Sequence, residues 1–157
     1  LTGGPLPEDR AMAARFLSEI GQEADVPALI AAASSPRNVN EQLFQQEVLL
    51  ALSKIAGPEA KVFVRAQLSS GDPFMRGISA FAETRLQDPE AVPTLEGLLA
   101  MDRVGDTRVS AATALGLIAT EEARAALERS CKLGEPDKRV DLACAEARKV
   151  AKGARLP

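Results

Sequence analysis

The chain has 157 residues, of which 46% are hydrophobic, 26% are charged and only 3% are aromatic, and its formal net charge is −3. A chain of this length can bury a sizeable core, and the scarcity of aromatic residues favours closely packed helices of Ala, Leu, Val and Ile over a sheet. The negative charge gives no general signal for nucleic acid or an acidic membrane surface, and no apolar run approaches the roughly 20 residues of a transmembrane helix.

Hydrophobic residues recur with the period of an α-helix along most of the chain, and no segment alternates convincingly like a β-strand. Residues 1–7 are rich in Gly and Pro, which predicts a flexible tail or an expression remnant. The remainder predicts nine helices. They cover about residues 8–20, 26–34, 40–56, 58–70, 73–87, 89–100, 107–119, 121–133 and 137–152.

The predicted helices form a repeated pair. An apolar residue near the end of each first helix recurs after 35, 31, 32 and 32 residues, at Ile20, Ile55, Leu86, Ile118 and Val150. Nine residues after the first four of these comes an apolar residue of a second helix, at Leu29, Val64, Leu95 and Leu127. Such a fixed spacing is typical of a helical repeat protein. We expect one domain over 8–157, with repeats at about 8–35, 36–71, 72–101 and 102–134 and a terminal helix at 135–152.

Polar residues mark the predicted starts of several helices. Thr120 stands where a side-chain oxygen can accept the free backbone N–H groups of a first turn. Asp106 or Thr107 is expected to cap the helix that follows it in the same way. Asp72-Pro73 is expected to open the first helix of the third repeat, with Pro at a first-turn position that needs no N–H. Asn38 followed by Glu41 resembles a capping box at the start of the second repeat.

The segment from Arg108, R-V-S-A-A-T-A-L-G-L-I-A-T-E-E-A-R-A-A-L, resembles the bacterial HEAT-like repeat, which also occurs in phycobilisome lyase subunits. The segment from Gln87, Q-D-P-E-A-V-P-T-L-E-G-L-L, is similar to the second half of that unit. Glu83 departs from the pattern by replacing the usual Leu, so we expect a shifted helix or a polar contact there. The resemblance implies an all-α fold, a right-handed α–α superhelix (α-solenoid) of about four and a half helical hairpins, with second helices lining the concave side.

The sequence lacks the residue sets that most enzymes use. It contains no His, which removes the commonest general base, the commonest metal ligand and every Ser–His or Cys–His pair. It has no glycine-rich phosphate loop, and Gly116 is assigned to helix packing. We therefore predict no enzymatic activity, no catalytic residue, no metal site and no cofactor. The favoured function is a non-catalytic scaffold that binds another protein on its concave surface.

Two other functions stay open. The resemblance to lyase subunits suggests a bilin-lyase-like, chromophore-handling subunit, although a tetrapyrrole pocket would need more aromatic residues than five Phe. Nucleic-acid binding by a HEAT-like module is the other alternative, but the net charge and the few aromatic residues disfavour it. The chain begins with Leu, so we expect a fragment or a processed product. Continuation into further repeats of a longer chain is one alternative. The compartment is open, with the cytoplasm slightly favoured.

Exposed positions of the second helices are the predicted partner-binding residues, because solenoids usually bind partners in their concave groove. By register these are Ile30, Arg65, Glu96, Glu128, Arg129 and Lys132. A solvated surface is the simpler interpretation of any one of them. As a set they are expected to face one groove.

The C-terminal end is basic. Residues 129–157 contain 8 Lys and Arg against 4 Asp and Glu, whereas residues 1–128 contain 11 against 18. The predicted basic patch consists of Lys138, Arg139, Arg148, Lys149 and Lys152. One interpretation is a solvated terminal cap that complements the helix dipole. The other is a docking site for an acidic partner or for a further part of a longer solenoid.

Cys131 and Cys144 are the only cysteines, and both fall at core positions of the repeat. The simplest interpretation is a pair of small buried hydrophobic residues. A disulfide is an alternative because their helices adjoin, and a reactive or metal-binding pair is a third.

Arginines recur at equivalent positions of the first helices, at Arg10, Arg76 and Arg108. We expect a ladder of contacts between repeats, to acids such as Asp72, Asp102 or Asp106. A row that binds anions is the alternative.

Overall fold

The computed structural model describes residues 6–36, 38, 40–131 and 135–153. Over these residues it contains nine α-helices and no β-strand, which confirms the predicted all-α class. The helices are α1 (Pro7–Ile20), α2 (Val26–Ala33), α3 (Gln42–Ile55), α4 (Pro58–Gln67), α5 (Pro73–Leu86), α6 (Val92–Met101), α7 (Gly105–Ile118), α8 (Glu121–Ser130) and α9 (Lys138–Ala151). Short 3₁₀ turns over Glu23–Asp25 and Pro89–Ala91 lead into α2 and α6. Each helix lies where the repeat pattern predicts one.

The chain divides into two compact units, Leu1–Ala66 and Gln67–Pro157. In the first unit, α1 and α2 both pack against α3. The apolar core of that unit includes Ala11, Ala14, Val26, Leu29, Val48, Leu49 and Leu52. The single domain over 8–157 stays a prediction.

The second unit has two layers of helices. In one layer α7 lies between α5 and α9, and in the other α6 packs beside α8. Both α6 and α8 also pack against α7, so one core joins the layers. It includes Leu68, Leu95, Leu99, Ala112, Leu115 and Leu127. First helices in one row and second helices in the other are what the sequence repeat predicts for this unit.

The predicted Thr120 cap is present, and the helix start predicted at Asp72-Pro73 also has a side-chain cap. The Asp72 carboxylate accepts the backbone N–H of Phe74 at 2.9 Å at the start of α5. The Thr120 hydroxyl accepts the backbone N–H of Ala123 at 3.2 Å at the start of α8. Each satisfies one of the N–H groups that the first helical turn leaves free.

The predicted cap of α7 is wrong. The helix begins at Gly105, and its N-cap residue Val104 offers no side-chain oxygen. Asp106 and Thr107 therefore lie inside the first turn, where Thr107 is fully buried.

The predicted capping box before α3 is also wrong. The Asn38 side-chain amide donates instead to the Ala32 carbonyl at 2.9 Å, which closes the loop after α2. Glu41 forms an ion pair with Arg10. Both side chains contact residues that are farther away in sequence than the partners of a helix cap.

The expected arginine ladder is confirmed. Each arginine pairs with an acid that lies just before the next first helix of its own unit. The pairs are Arg10 with Glu41, Arg76 Nε with Asp102 Oδ2 at 2.7 Å, and Arg108 Nη2 with Glu135 Oε1 at 2.8 Å. Of the three acids that the sequence suggested as partners, only Asp102 has this role.

Glu83 makes the polar contact that its place in the repeat suggests. It is fully buried in α5, and its Oε2 accepts the backbone N–H of Asp88 at 3.3 Å. Helix α5 keeps the predicted register around it.

Cys131 and Cys144 are both buried, as predicted, but they are joined in a disulfide. The interpretation as two free thiols is therefore wrong. Their Cα atoms are 5.7 Å apart, within the range that a disulfide requires. The bond ties the end of α8 to the middle of α9.

Candidate functional site

Residues from the predicted groove and from the predicted basic patch meet where α8 packs against α9. Arg124 and Glu128 lie one turn apart on α8, and Arg148 and Lys152 lie one turn apart at the end of α9. The four-residue spacing places each pair on one helix face. These four residues are called the α8–α9 site below.

Both arginines of the site are held by backbone carbonyls at helix ends. Arg124 Nε donates to the Ala151 carbonyl at 2.8 Å. Arg148 Nη2 donates to the carbonyls of Cys131 at 2.9 Å and Leu127 at 3.4 Å. The carbonyls of Ala151 and Cys131 lie at helix C-termini, which carry the negative end of the helix dipole, and the Leu127 carbonyl also accepts the backbone N–H of Cys131 at 3.0 Å. The guanidinium groups are therefore fixed in position by groups without a formal charge.

The α8–α9 site keeps a surplus of positive charge. Its one carboxylate is Glu128, whose Oε2 lies 3.5 Å from Arg148 Nη2. Arg124, Arg148 and Lys152 thus carry three positive charges against one negative charge. A small cavity of about 30 Å³ lies among them, lined by Arg124, Leu127, Glu128, Arg148, Ala151 and Lys152. A space of this size holds one or two water molecules, or the oxygens of a carboxylate.

Glu96 and Arg129, predicted as separate contact points, bind each other across α6 and α8. Arg129 donates from Nε and Nη2 to the two carboxylate oxygens of Glu96, both at 2.8 Å, and the Ser130 hydroxyl donates to Glu96 at 3.3 Å. The hydrogen bonds from Arg129 hold the pKa of Glu96 below its usual value, and Glu96 raises the pKa of Arg129. This bidentate pair links two second helices of the same layer.

The other predicted groove residues are placed as follows. Ile30 in α2 and Arg65 in α4 are half-buried residues of the first unit. Lys132 lies outside the described residues. The grouping of the six positions in one groove stays a prediction.

Three members of the predicted basic patch form ion pairs with acids, and each has one such partner within three residues in sequence. Lys138 lies 3.4 Å from Asp141, Lys149 lies 2.7 Å from Glu146, and Arg139 contacts both Asp137, at 2.8 Å, and Asp106. The hydrogen bond from Arg139 lowers the pKa of Asp137. The pairs of Lys138 and Arg139 offset the positive charge at the start of α9, and that of Lys149 offsets one charge near its end. Arg148 has only its 3.5 Å contact with Glu128, and Lys152 is in no described ion pair.

Arg124 is the member of the site that the sequence did not single out. Its four-residue spacing from Glu128 was a usable signal, but its approach to the end of α9 depends on how the helices pack. Among the described residues, no cluster of His, Cys, Asp and Glu is arranged to hold a metal ion. In the same part of the chain no helix has the length and apolar character to cross a bilayer.

No family model matches the sequence, and no curated protein matches it. Among solved structures, the chain is similar to human deoxyhypusine hydroxylase in complex with glycerol, with a TM-score of 0.61 and 20% sequence identity. The match covers 95% of this chain and 69% of the hydroxylase chain. It supports the HEAT-like, all-helical repeat fold, while membership of the bacterial or lyase-type HEAT family stays a prediction. A likeness at this identity shows the fold alone.

The comparison contradicts the predicted function. The similar structure is that of an enzyme, which contradicts the predictions of a non-catalytic scaffold and of no enzymatic activity. The missing His does not decide the matter, because the absence of one residue type removes particular mechanisms and not catalysis as a whole. Neither the bilin-lyase-like subunit nor the nucleic-acid-binding module gains support from this likeness.

Proposed function

We propose that this chain binds an acidic segment of another protein at the α8–α9 site, as the substrate-binding part of an enzyme. The observation that carries the proposal is the surplus of two positive charges in a site whose guanidinium groups are held by neutral carbonyls. The likeness to an enzyme over 95% of the chain supports the enzymatic half. The hydroxylase's own substrate and reaction are not carried over, because the shared identity is only 20%.

A carboxylate suits the site for two reasons. Arg124 uses only its Nε donor in the described hydrogen bonds, and an arginine has five donors in a planar fork that fits a carboxylate. Lys152 is exposed at the end of α9 and supplies a second cation beside the cavity. Charge-assisted hydrogen bonds of this kind are stronger than neutral ones.

The binding half is tested with a labelled 16-residue peptide of alternating Glu and Ala, whose affinity is read by fluorescence anisotropy. Lys152→Glu removes a cation and adds an anion without breaking a described contact, so we expect about five- to tenfold weaker binding at low salt. Lys138→Glu is the matched control, since it makes the same charge change about 21 Å away along α9. Equal effects of the two substitutions would contradict binding at the site.

The enzymatic half is tested by intact-mass spectrometry of acidic peptides that carry one Lys, Ser, Cys or Met at the centre. Each peptide is incubated with the chain in a clarified cell extract that supplies small co-substrates, with extract alone as the control. We expect a mass change that depends on added chain and falls with Lys152→Glu. Binding with no chain-dependent mass change in any peptide would remove the enzymatic half and leave the binding half.

A further inference from the structure

Helix α1 exposes a continuous apolar stripe. Met12, Phe16 and Ile20 are 70%, 62% and 60% exposed, and their four-residue spacing places them along one face of the helix. Ile20 is the anchor residue of the first repeat, and its exposure departs from the later anchors Leu86, which is buried, and Ile118, which is half-buried. The opposite face of α1 carries the buried residues Ala11 and Ala14. These three exposed residues are called the α1 stripe.

Helix α3 extends this apolar surface at one end. Leu43, also more than half exposed, lies beside Met12 along a groove of about 230 Å³ between α1 and α3. The groove is lined by Glu8, Ala11, Met12, Arg15, Leu43 and Glu47. Exposed large apolar residues that are contiguous in this way mark an interaction surface more often than an ordinary solvated face.

We propose that the α1 stripe packs against α1 of a second copy of this chain, in an antiparallel pair related by a twofold axis beside Phe16. In such a pair, residues equally far from the axis face each other. Met12 and Ile20 are both four residues from Phe16, so Met12 of one copy meets Ile20 of the other. Phe16 packs against its own symmetry mate, and all three apolar residues become covered in both copies.

The charges beside the stripe fit the same register. Arg15 and Glu19 lie one turn apart on one flank of the stripe, and equal flanks face each other in an antiparallel pair. Arg15 of one copy then comes within about two residues, or 3 Å, of the axial position of Glu19 in the other. Arg15 has no ion pair among the described contacts, while Glu19 is paired with Lys54 and its pKa is lowered by that contact. Glu19 is thus an ionised acid that can accept a second cation.

The size of the surface sets the expected affinity. One exposed helix face, widened by Leu43, is a small contact compared with the ~800 Å² per partner of a standard interface. A weak dimer with a dissociation constant of about 10–100 µM is therefore expected. Sedimentation equilibrium between about 5 and 500 µM should show a monomer–dimer transition in this range.

Phe16→Glu tests the stripe directly. It buries a charge at the centre of the pair, so we expect at least a 20-fold rise in the dimer dissociation constant. Leu142→Glu is the control, because Leu142 is 65% exposed on α9 and its neighbours one turn away are Lys138 and Glu146. It should leave the dissociation constant unchanged. Circular dichroism of both variants verifies that they are folded.

The charged flank supplies a second, independent test. Arg15→Glu places like charges together and should weaken dimerisation, and the double exchange Arg15→Glu with Glu19→Arg should restore part of the loss. A wild-type chain that stays monomeric at every concentration would overturn the proposal and assign the stripe to a different partner. Dimers that tolerate Phe16→Glu as well as they tolerate Leu142→Glu would overturn it too.

Discussion

Asp102 carries a negative charge on a side chain that is only 1% exposed. Burial raises the pKa of Asp102. The hydrogen bonds from Arg76 and from the backbone N–H of Val104, together with the positive charges of Arg76 and Arg108, lower the pKa by more than burial raises it. The net pKa lies below the 3.8 of an ordinary Asp. A folded-state pKa below the unfolded value gives stability that is present above about pH 4 and is lost as the pH falls through the folded pKa.

Asp102→Asn is therefore expected to destabilise the fold by about 2 kcal/mol at pH 7, because it leaves the partly buried Arg76 without its counter-charge. Urea unfolding measures the loss. At pH 3 the difference between wild type and variant should shrink, since below its ordinary pKa of 3.8 the carboxylate is protonated in the unfolded chain, while the folded chain, with its lower pKa, binds that proton less readily. Asp106→Asn is the control: its ion pair with Arg139 is solvent-exposed on both sides, so little change is expected. A loss of equal size at both pH values would refute this account of the pair.

The contacts of individual residues are predictable from the sequence when they are local and not when they join distant parts of the chain. The Thr120 cap and the helix start at Asp72 are predictable because both depend only on neighbouring residues of the chain. Asn38 and Glu41 were misassigned because each binds a group on another element, at Ala32 and Arg10. Arg124 was overlooked because its carbonyl partner, Ala151, is 27 residues away.

At the scale of helices, Gly116 sets how closely α7 and α9 approach. A Cβ at this position would lie 2.7 Å from the Cα of Ala147, too close for backbone atoms. Gly116→Ala gains about 1 kcal/mol of helix propensity, but the overlap costs more, so we expect a net loss of about 1–2 kcal/mol in the free energy of unfolding. Gly97→Ala in α6 meets no atom within 4 Å and should instead gain about 0.5–1 kcal/mol. Chemical denaturation separates the two, and a stabilised Gly116→Ala would show that the helices can move apart without cost.

The Cys131–Cys144 bond is the second constraint between helices, because it closes the connection from α8 to α9. The two residues are 13 apart in sequence, and a loop of that length corresponds to about 3 kcal/mol in the chain-entropy account of disulfides. Reduction with dithiothreitol should lower the free energy of unfolding by about this amount. The double variant Cys131→Ala with Cys144→Ala should have a similarly low stability and should not respond to reductant. A wild-type transition that reductant leaves in place would mean that the bond contributes nothing to stability.

The helices are predictable from the sequence because each repeat contains the same pattern of apolar residues at helical spacing. Leu95 and Leu127, nine residues after their anchors, are both buried as that pattern requires. The spacing says nothing about which core residues touch, so the cysteine pairing did not follow from it. Nor does the spacing tell whether a helix face has a neighbour, since Ile20 is 60% exposed although the equivalent Leu86 is buried.

At the scale of the whole molecule, charge is distributed unevenly. The net charge of −3 disfavours an acidic ligand at long range, whereas the α8–α9 site, with its local surplus of positive charge, is proposed to attract one at short range. Helix α9 reproduces this contrast within one element, since Lys138 and Lys149 are paired with acids and Lys152 is not in a described ion pair. The local surplus of positive charge at the α8–α9 site, and not the net charge of the chain, is expected to decide which ligand binds there.

Ionic strength separates these two contributions. Raising it from about 50 to 150 mM shortens the screening length to about 8 Å, which weakens both the long-range repulsion and the exposed attraction at the site. The attractive contacts at the site are much shorter than the distances over which the net charge repels the peptide, so the attraction is the larger contribution to the affinity. Its loss should lower the affinity of the wild-type chain for the Glu–Ala peptide about three- to fivefold over this range. Lys152→Glu should flatten that dependence and Lys138→Glu should not, as measured by anisotropy titrations at several salt concentrations. An affinity that rises with salt in the wild-type chain would show that the overall negative charge governs the encounter and that the α8–α9 site does not bind the peptide.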